Sequence, residues 1–244
     1  VAATRANELV ALDRKGNVRW TLARPAPRFP AWAGTRTDTR IAYLSRGGLR
    51  LVAGDGTGDQ LIGAAALVRP AWRPGPGRVL AFSTGRSALV YDVDRASIRF
   101  RTPPGEAPRK LEWSADGQLL LVFTPHATRV YDRLGHVVAQ DDPSDATFDR
   151  DAAFVGGTHE VAAIRAEGSG SNVFSLSNGR TFFRGTGVFS QLAWSPNGRW
   201  LLVTWPTANQ WVFVHSGPRR IVGASRISAQ FGGFPRVADW CCAP

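Results

Sequence analysis

Five aspartates, Asp141, Asp142, Asp145, Asp149 and Asp151, fall within eleven residues of a chain whose net charge is +11. Clustered carboxylates are hard oxygen donors suited to Ca²⁺. Asp141, Asp142, Asp145 and Asp149 are therefore the candidate metal ligands, and calcium is the one candidate cofactor. Their spacing is not that of an EF-hand loop, and a solvated acidic loop is the alternative. A second set, Arg28, Arg69, Arg109, Lys110, Arg150 and Arg236, is basic. Guanidinium groups brought together would hold a carboxylate or phosphate. His126, His136, His159 and His215 show no metal-ligand spacing. No G-x-S-x-G, Walker or dinucleotide glycine pattern occurs, and Gly168-Ser-Gly-Ser171 has the composition of a flexible loop.

These residues are placed by a repeat. Trp32, Trp72, Trp113, Phe154 and Trp194 lie 40, 41, 41 and 40 residues apart. A fixed period of this size marks a repeat architecture. Each period reads as four short strands, a to d, with the aromatic anchor in strand a. In the best-formed unit, Gln191-Leu-Ala-Trp194 is followed by the turn Ser195-Pro-Asn-Gly198 and the apolar run Trp200-Leu-Leu-Val203. Leu111-Glu-Trp113-Ser-Ala-Asp-Gly117 precedes Leu119-Leu-Leu-Val-Phe123 in the same way. Glycine at the end of such a turn suits a left-handed backbone.

The chain begins with b, c and d strands lacking a, and it ends on Phe234-Pro-Arg-Val-Ala-Asp-Trp240, an a strand lacking the rest. Joined, they make a sixth unit and remove the exposed sheet edges of an open array. The expectation is an all-β chain, a six-bladed β-propeller of four-stranded antiparallel blades. The N-terminal b, c and d strands would pair with the C-terminal a strand to close it. The blades fall at 24–63, 64–103, 104–142, 143–185, 186–226 and 227–244 plus 1–23, in a single domain over 1–244. With strand a innermost, positions three and four before each anchor lie at the channel mouth. They hold the six basic residues named above, except in the fifth blade, which has Ser190 and Gln191. Trp205 and Trp211 flank the b-to-c loop of that blade and are candidates for a contact anchor.

The sequence Ala193-Trp-Ser-Pro-Asn-Gly-Arg199 followed by an apolar strand resembles the WD-like repeats of TolB-type β-propellers, as do Leu89-Val-Tyr-Asp92 and Arg129-Val-Tyr-Asp132. The resemblance covers nearly the whole chain. It implies the propeller fold and leaves the binding surface unspecified, because repeat motifs specify blades.

Arginine supplies all but two of the 30 basic residues; only Lys15 and Lys110 are lysine. The arginines are scattered, which argues for compositional bias and against a nucleic-acid footprint. Cys241 and Cys242 are adjacent and cannot bridge distant parts of the fold. The chain has no initiator Met and starts inside a strand pattern, so a processed chain with an upstream signal peptide or membrane tether is expected, outside the cytoplasm. The functional expectation is a monomeric, non-catalytic binding or scaffold propeller that takes a protein partner or an anionic small ligand at the channel mouth. The alternative is a hydrolase or lyase acting on an anionic glycan or ester.

Overall fold

The computed structural model describes residues 2–13, 15–34, 38–143, 147–195, 197–217 and 220–237. They form six successive antiparallel sheets, the fold class of a six-bladed β-propeller. The chain divides into two compact units, Val1–Leu111 and Glu112–Pro244. In the first, sheet I holds β1 (Ala2–Arg5), β2 (Glu8–Leu12) and β3 (Val18–Ala23). Sheet II holds β4 (Arg28–Gly34), β5 (Thr39–Ser45), β6 (Gly48–Ala53) and β7 (Gln60–Gly63). Sheet III holds β8 (Ala71–Trp72), β9 (Val79–Ser83), β10 (Ala88–Asp92) and β11 (Ser97–Arg101).

In the second unit, sheet IV is β12 (Lys110–Trp113), which opens at the junction, β13 (Leu120–Thr124), β14 (Ala127–Tyr131) and β15 (Val137–Asp141). Sheet V is β16 (Asp149–Phe154), β17 (Val161–Glu167), β18 (Gly170–Ser175) and β19 (Thr181–Thr186). Sheet VI is β20 (Gln191–Trp194), β21 (Trp200–Trp205), β22 (Gln210–His215) and β23 (Ile221–Ser225), followed by the short helix α1 (Ile227–Phe231). The strand expected to complete sheet I runs into residues 238–240, which lie outside the described residues, as do Cys241 and Cys242.

The Ser-x-Asp/Asn-Gly turns form for a specific reason. Ser195 Oγ donates to Asn197 Oδ1 at 2.8 Å and accepts the Trp200 N–H at 2.9 Å. Asn197 Oδ1 also takes the Arg199 N–H, and Gly198 sits at φ +67°. Ser114, Asp116, Gln118, Leu119 and Gly117 repeat this arrangement. The side chains satisfy backbone donors that the turn leaves without partners.

The apolar runs are buried on both faces because, within each unit, neighbouring sheets pack on one another. Ala42, Leu44, Leu49 and Leu51 of sheet II meet Leu80, Phe82 and Leu89 of sheet III. Leu121 and Phe123 meet Ala152, Phe154 and Val161. Ile164 and Val173 meet Leu192, Trp194 and Val203. Polar links reinforce these layers: the Phe154 N–H donates to Glu112 Oε1, the Leu192 N–H to Asp151 Oδ2, and the Trp72 indole to Ala31 O.

Trp113, Phe154 and Trp194 are buried and Trp72 is half-buried, but Trp32 is 68% exposed. The β4–β5 register shifts between Arg28 and Ala31, which turns Ala31 inward and the Trp32 indole outward. Trp205 is half-buried against Phe189 and Phe183, and Trp211 against Phe231, so neither is the bare anchor that the loop position suggests.

Candidate anion-binding surface

In an antiparallel four-stranded sheet, the start of the first strand, the second-to-third connection and the end of the fourth strand lie at one end. In residues 1–111 these connections are also bonded to one another. Pro25 O accepts from Arg46 N–H and Ser45 Oγ, the Ala26 N–H donates to Asn7 Oδ1, and Gly105 N–H donates to Arg86 O.

This end carries Arg5, Arg28, Arg46, Arg69, Arg86, Arg101, Arg109 and Lys110, together with Arg24, which is paired with Asp59, against Glu8 and Glu106. The opposite end carries Asp13, Asp38, Asp55, Asp92 and Asp94. Four arginines there are paired with aspartates: Arg78 with Asp38 and Asp94, Arg95 and Arg99 with Asp92, and Arg40 with Asp38, while Lys15 and Arg19 are exposed. Residues 1–111 hold 19 Lys and Arg against 8 Asp and Glu, whereas residues 112–244 hold 11 against 11, so the entire excess of +11 belongs to the first unit.

Asp59 shows how strongly the paired carboxylates are held. Burial alone would raise its pKa, but hydrogen bonds from Arg50, Tyr43 and Arg24 outweigh it and hold the carboxyl below its usual range. Burial, with Asp59 beside it, pushes the Tyr43 hydroxyl up to about 12.

Of the basic residues expected at the rim, the structure places Arg28, Arg69, Arg109 and Lys110 at this end of the first unit. Arg28 and Arg109 are exposed, while Arg69 and Lys110 are half-buried. Arg150 and Arg236 belong to the second unit. Arg150 is the extra residue where the β16–β17 register shifts; its guanidinium lies 4.8 Å from the Phe148 ring and its Nε is buried without a hydrogen bond. Arg236 is exposed, next to Val237, whose backbone is clamped by the Gln191 amide at 2.9 and 3.1 Å. Gln191, at the blade position that lacks a base, thus holds the tail.

Arg5, Arg46, Arg86 and Arg101 extend the set beyond the residues near strand a. Their signal in the sequence was their place at strand ends and in second-to-third connections. Among the described residues no carboxylate pairs with Arg5, Arg28, Arg46, Arg86, Arg101 or Arg109, and all six are exposed.

The acidic cluster is organised around arginine. Arg165 bridges Asp141 and Asp149, its Nε donating to Asp149 Oδ1 at 2.9 Å, and Arg129 pairs with Asp142 at 2.6 Å. Asp151 accepts backbone N–H groups, and Asp145 lies outside the described residues. A Ca²⁺ ion at Asp141, Asp142 and Asp149 would have to displace both guanidinium groups, and no group of three or more metal-ligating side chains stands together among the described residues. The Asp149 side chain is 0% exposed. Burial pushes its pKa up to about 6, against the pull of Arg165 and with the push of Asp141.

His136 pairs with Asp132, His159 with Asp116, and His215 packs on Trp200. Two clefts adjoin His159: one, lined by Thr128, Val130, Gln140 and Leu176 among others, holds about 70 Å³, and the other, lined by Ala115, Asp116, Gly157 and Thr158, about 300 Å³. Ser114 donates its hydroxyl to Asp116, which leaves the His159–Asp116 pair without an adjacent nucleophile in that arrangement.

No protein-family model matches the chain, and no curated protein matches it in sequence. Solved structures do match. A chain of the Kuenenia stuttgartiensis hydrazine synthase is similar with a TM-score of 0.64 at 14% identity, over 86% of this chain and 70% of that one. A chain of a mitotic checkpoint complex is similar with a TM-score of 0.66 at 12% identity, over 91% of this chain and 72% of that one. At these identities the likeness is one of fold.

Proposed function

We propose that this chain is a non-catalytic binding module that recognises an anionic partner through the arginine-bearing end of residues 1–111. The observation that carries the reading is the set of six exposed arginines at one end of the unit that have no carboxylate partner among the described residues, whereas Arg40, Arg78, Arg95 and Arg99 at the other end are paired with aspartates. Like charges held close raise one another's electrostatic cost, and an anionic partner relieves it. Kinship with TolB-type propellers, suggested by the Ser195–Gly198 and Ser114–Gly117 turns, belongs to this reading. One structural neighbour comes from a protein assembly, the mitotic checkpoint complex, which supports a role in partner binding by analogy of fold.

Binding is favoured over a hydrolase or lyase by the chemistry of this end. Residues 1–111 contain no histidine and no cysteine, and the carboxylates in the loops and strand ends of this end are Glu8 and Glu106. General acid–base catalysis on an ester or glycan needs such groups in convergent positions.

The test is calorimetric titration of the chain with a polyglutamate peptide at low ionic strength, using Arg28→Gln, Arg46→Gln and Arg109→Gln, with Lys15→Gln and Arg199→Gln as distant controls. Each of the first three should cost about 1.5–3 kcal/mol where a charged hydrogen bond is lost, and the controls only a small screened term. Equal losses in both sets would show diffuse attraction and refute a site.

A further inference from the structure

The arginine-bearing end of residues 1–111 also presents apolar groups, beside the basic ones. Phe29, next to Arg28, has φ +53° and is 36% exposed. A bulky side chain adopts that backbone conformation only against steric resistance, and such outliers gather at functional sites. Leu67, two residues before Arg69 in the β7–β8 connection, is 60% exposed. Neither side chain belongs to the clusters that pack sheet on sheet.

A soluble polyanion would engage the guanidinium groups and leave a bare leucine in water. Single-stranded nucleic acid would call for several exposed rings on which bases could stack, and among the described residues this end offers Phe29 alone. A bilayer interface accommodates both chemistries at once. Anionic head groups attract arginine near the surface, and apolar side chains enter the boundary with the acyl chains.

We propose that this end of residues 1–111 docks on an anionic lipid surface. Arg5, Arg28, Arg46, Arg86, Arg101 and Arg109 face the head groups, and Phe29 and Leu67 enter the interface. The inference rests on the reading that this end binds an anion, and it names the lipid surface as that anion. The opposite end of the same unit, with its aspartates paired to arginine, faces away from the membrane.

The test is co-sedimentation of the full chain with vesicles of phosphatidylcholine alone and of phosphatidylcholine with roughly one-third phosphatidylglycerol, beside titration with polyglutamate and a single-stranded oligonucleotide. The chain should bind the anionic vesicles at least about tenfold more tightly than the neutral ones, and each of Arg46→Gln and Arg109→Gln should weaken binding about fivefold. Phe29→Asn, which keeps a residue tolerant of the left-handed backbone, combined with Leu67→Ser should weaken vesicle binding while leaving polyglutamate binding unchanged.

Equal binding to both vesicle types would overturn the proposal, and so would anionic-vesicle binding that survives the Phe29→Asn, Leu67→Ser change. Binding to polyglutamate or the oligonucleotide without binding to vesicles would overturn the lipid assignment and leave an anion-binding module standing. Failure of all ligands would overturn both. Unchanged melting temperatures of the variants establish that each comparison reports on the surface.

Discussion

Replacing Asp149 by Asn should change how the stability of this protein depends on pH. Asp149 has a fully buried side chain, and its pKa is pushed up to about 6 from 3.8. An acid whose folded pKa exceeds its unfolded value binds its proton more readily in the native state. Its ionisation therefore weakens folding as pH rises from about 4 to 6, and the cost is complete above 6. A shift of about two pKa units corresponds to about 3 kcal/mol, most of it recovered by pH 4.

Asn keeps an oxygen that can accept from Arg165 Nε, and Asp141 remains as the charged partner of that guanidinium. Relative to Asp149→Asn, the wild-type chain should thus gain about 2–3 kcal/mol of stability between pH 7 and pH 4, or about 5–10 °C in Tm. Urea unfolding of both chains at a series of pH values measures this directly. Using the difference cancels the titration of every other carboxylate to first order. Parallel profiles, or a wild type that gains on the variant as pH rises, would show that Arg165 dominates the site and that the burial argument is mistaken.

Asp116 should behave in the opposite sense. Its hydrogen bond from Ser114, with further ones from Gln118 N–H and His159, lowers its pKa to about 2, so its contribution is present above pH 4 and lost as pH falls through 2. Asp116→Asn should lower Tm at pH 7 and leave it unchanged near pH 2. Gly198→Ala should destabilise by more than the roughly 1 kcal/mol of a left-handed alanine, because the Gly198 and Gly156 backbones meet so closely that a Cβ on Gly156 would lie 2.6 Å from Gly198 Cα; thermal melts of the single variant measure it. Asp151→Ala removes the acceptor of the Leu192 N–H between sheets V and VI and should cost about 1–3 kcal/mol in chemical unfolding.

The strand succession was legible because its signals are local. Period-spaced anchors, Ser-x-Asp/Asn-Gly turns and apolar runs each carry their reason within a dozen residues, and the turns have the hydrogen bonds their residue types suggest. Trp32 was misleading, since its outward position follows from a register shift between Arg28 and Ala31 that the 40-residue spacing does not encode. The acidic cluster looked like a cation site because its partner, Arg165, is contributed by β17 of sheet V, 16 residues after Asp149. Pairing between strands has no fixed spacing in sequence. The rim was half legible: positions beside strand a could be aligned, but Arg5, Arg46 and Arg86 share its end only through the antiparallel order of the sheets. The division of charge at residue 111 could have been counted from the sequence alone, yet its meaning depends on which arginines find aspartates.

The meeting of Gly156 and Gly198 also bears on where this chain can change over time. Both glycines sit in first-to-second-strand turns of neighbouring sheets, and the Asp116–His159 pair joins the corresponding turns of sheets IV and V. An added residue in any one of these turns would dislodge its neighbour as well, so lengthening there is penalised twice. The connections at the other end of these sheets take no part in these turn-to-turn contacts. Insertions, and with them new specificities, can therefore accumulate at that end while the tied turns keep their length.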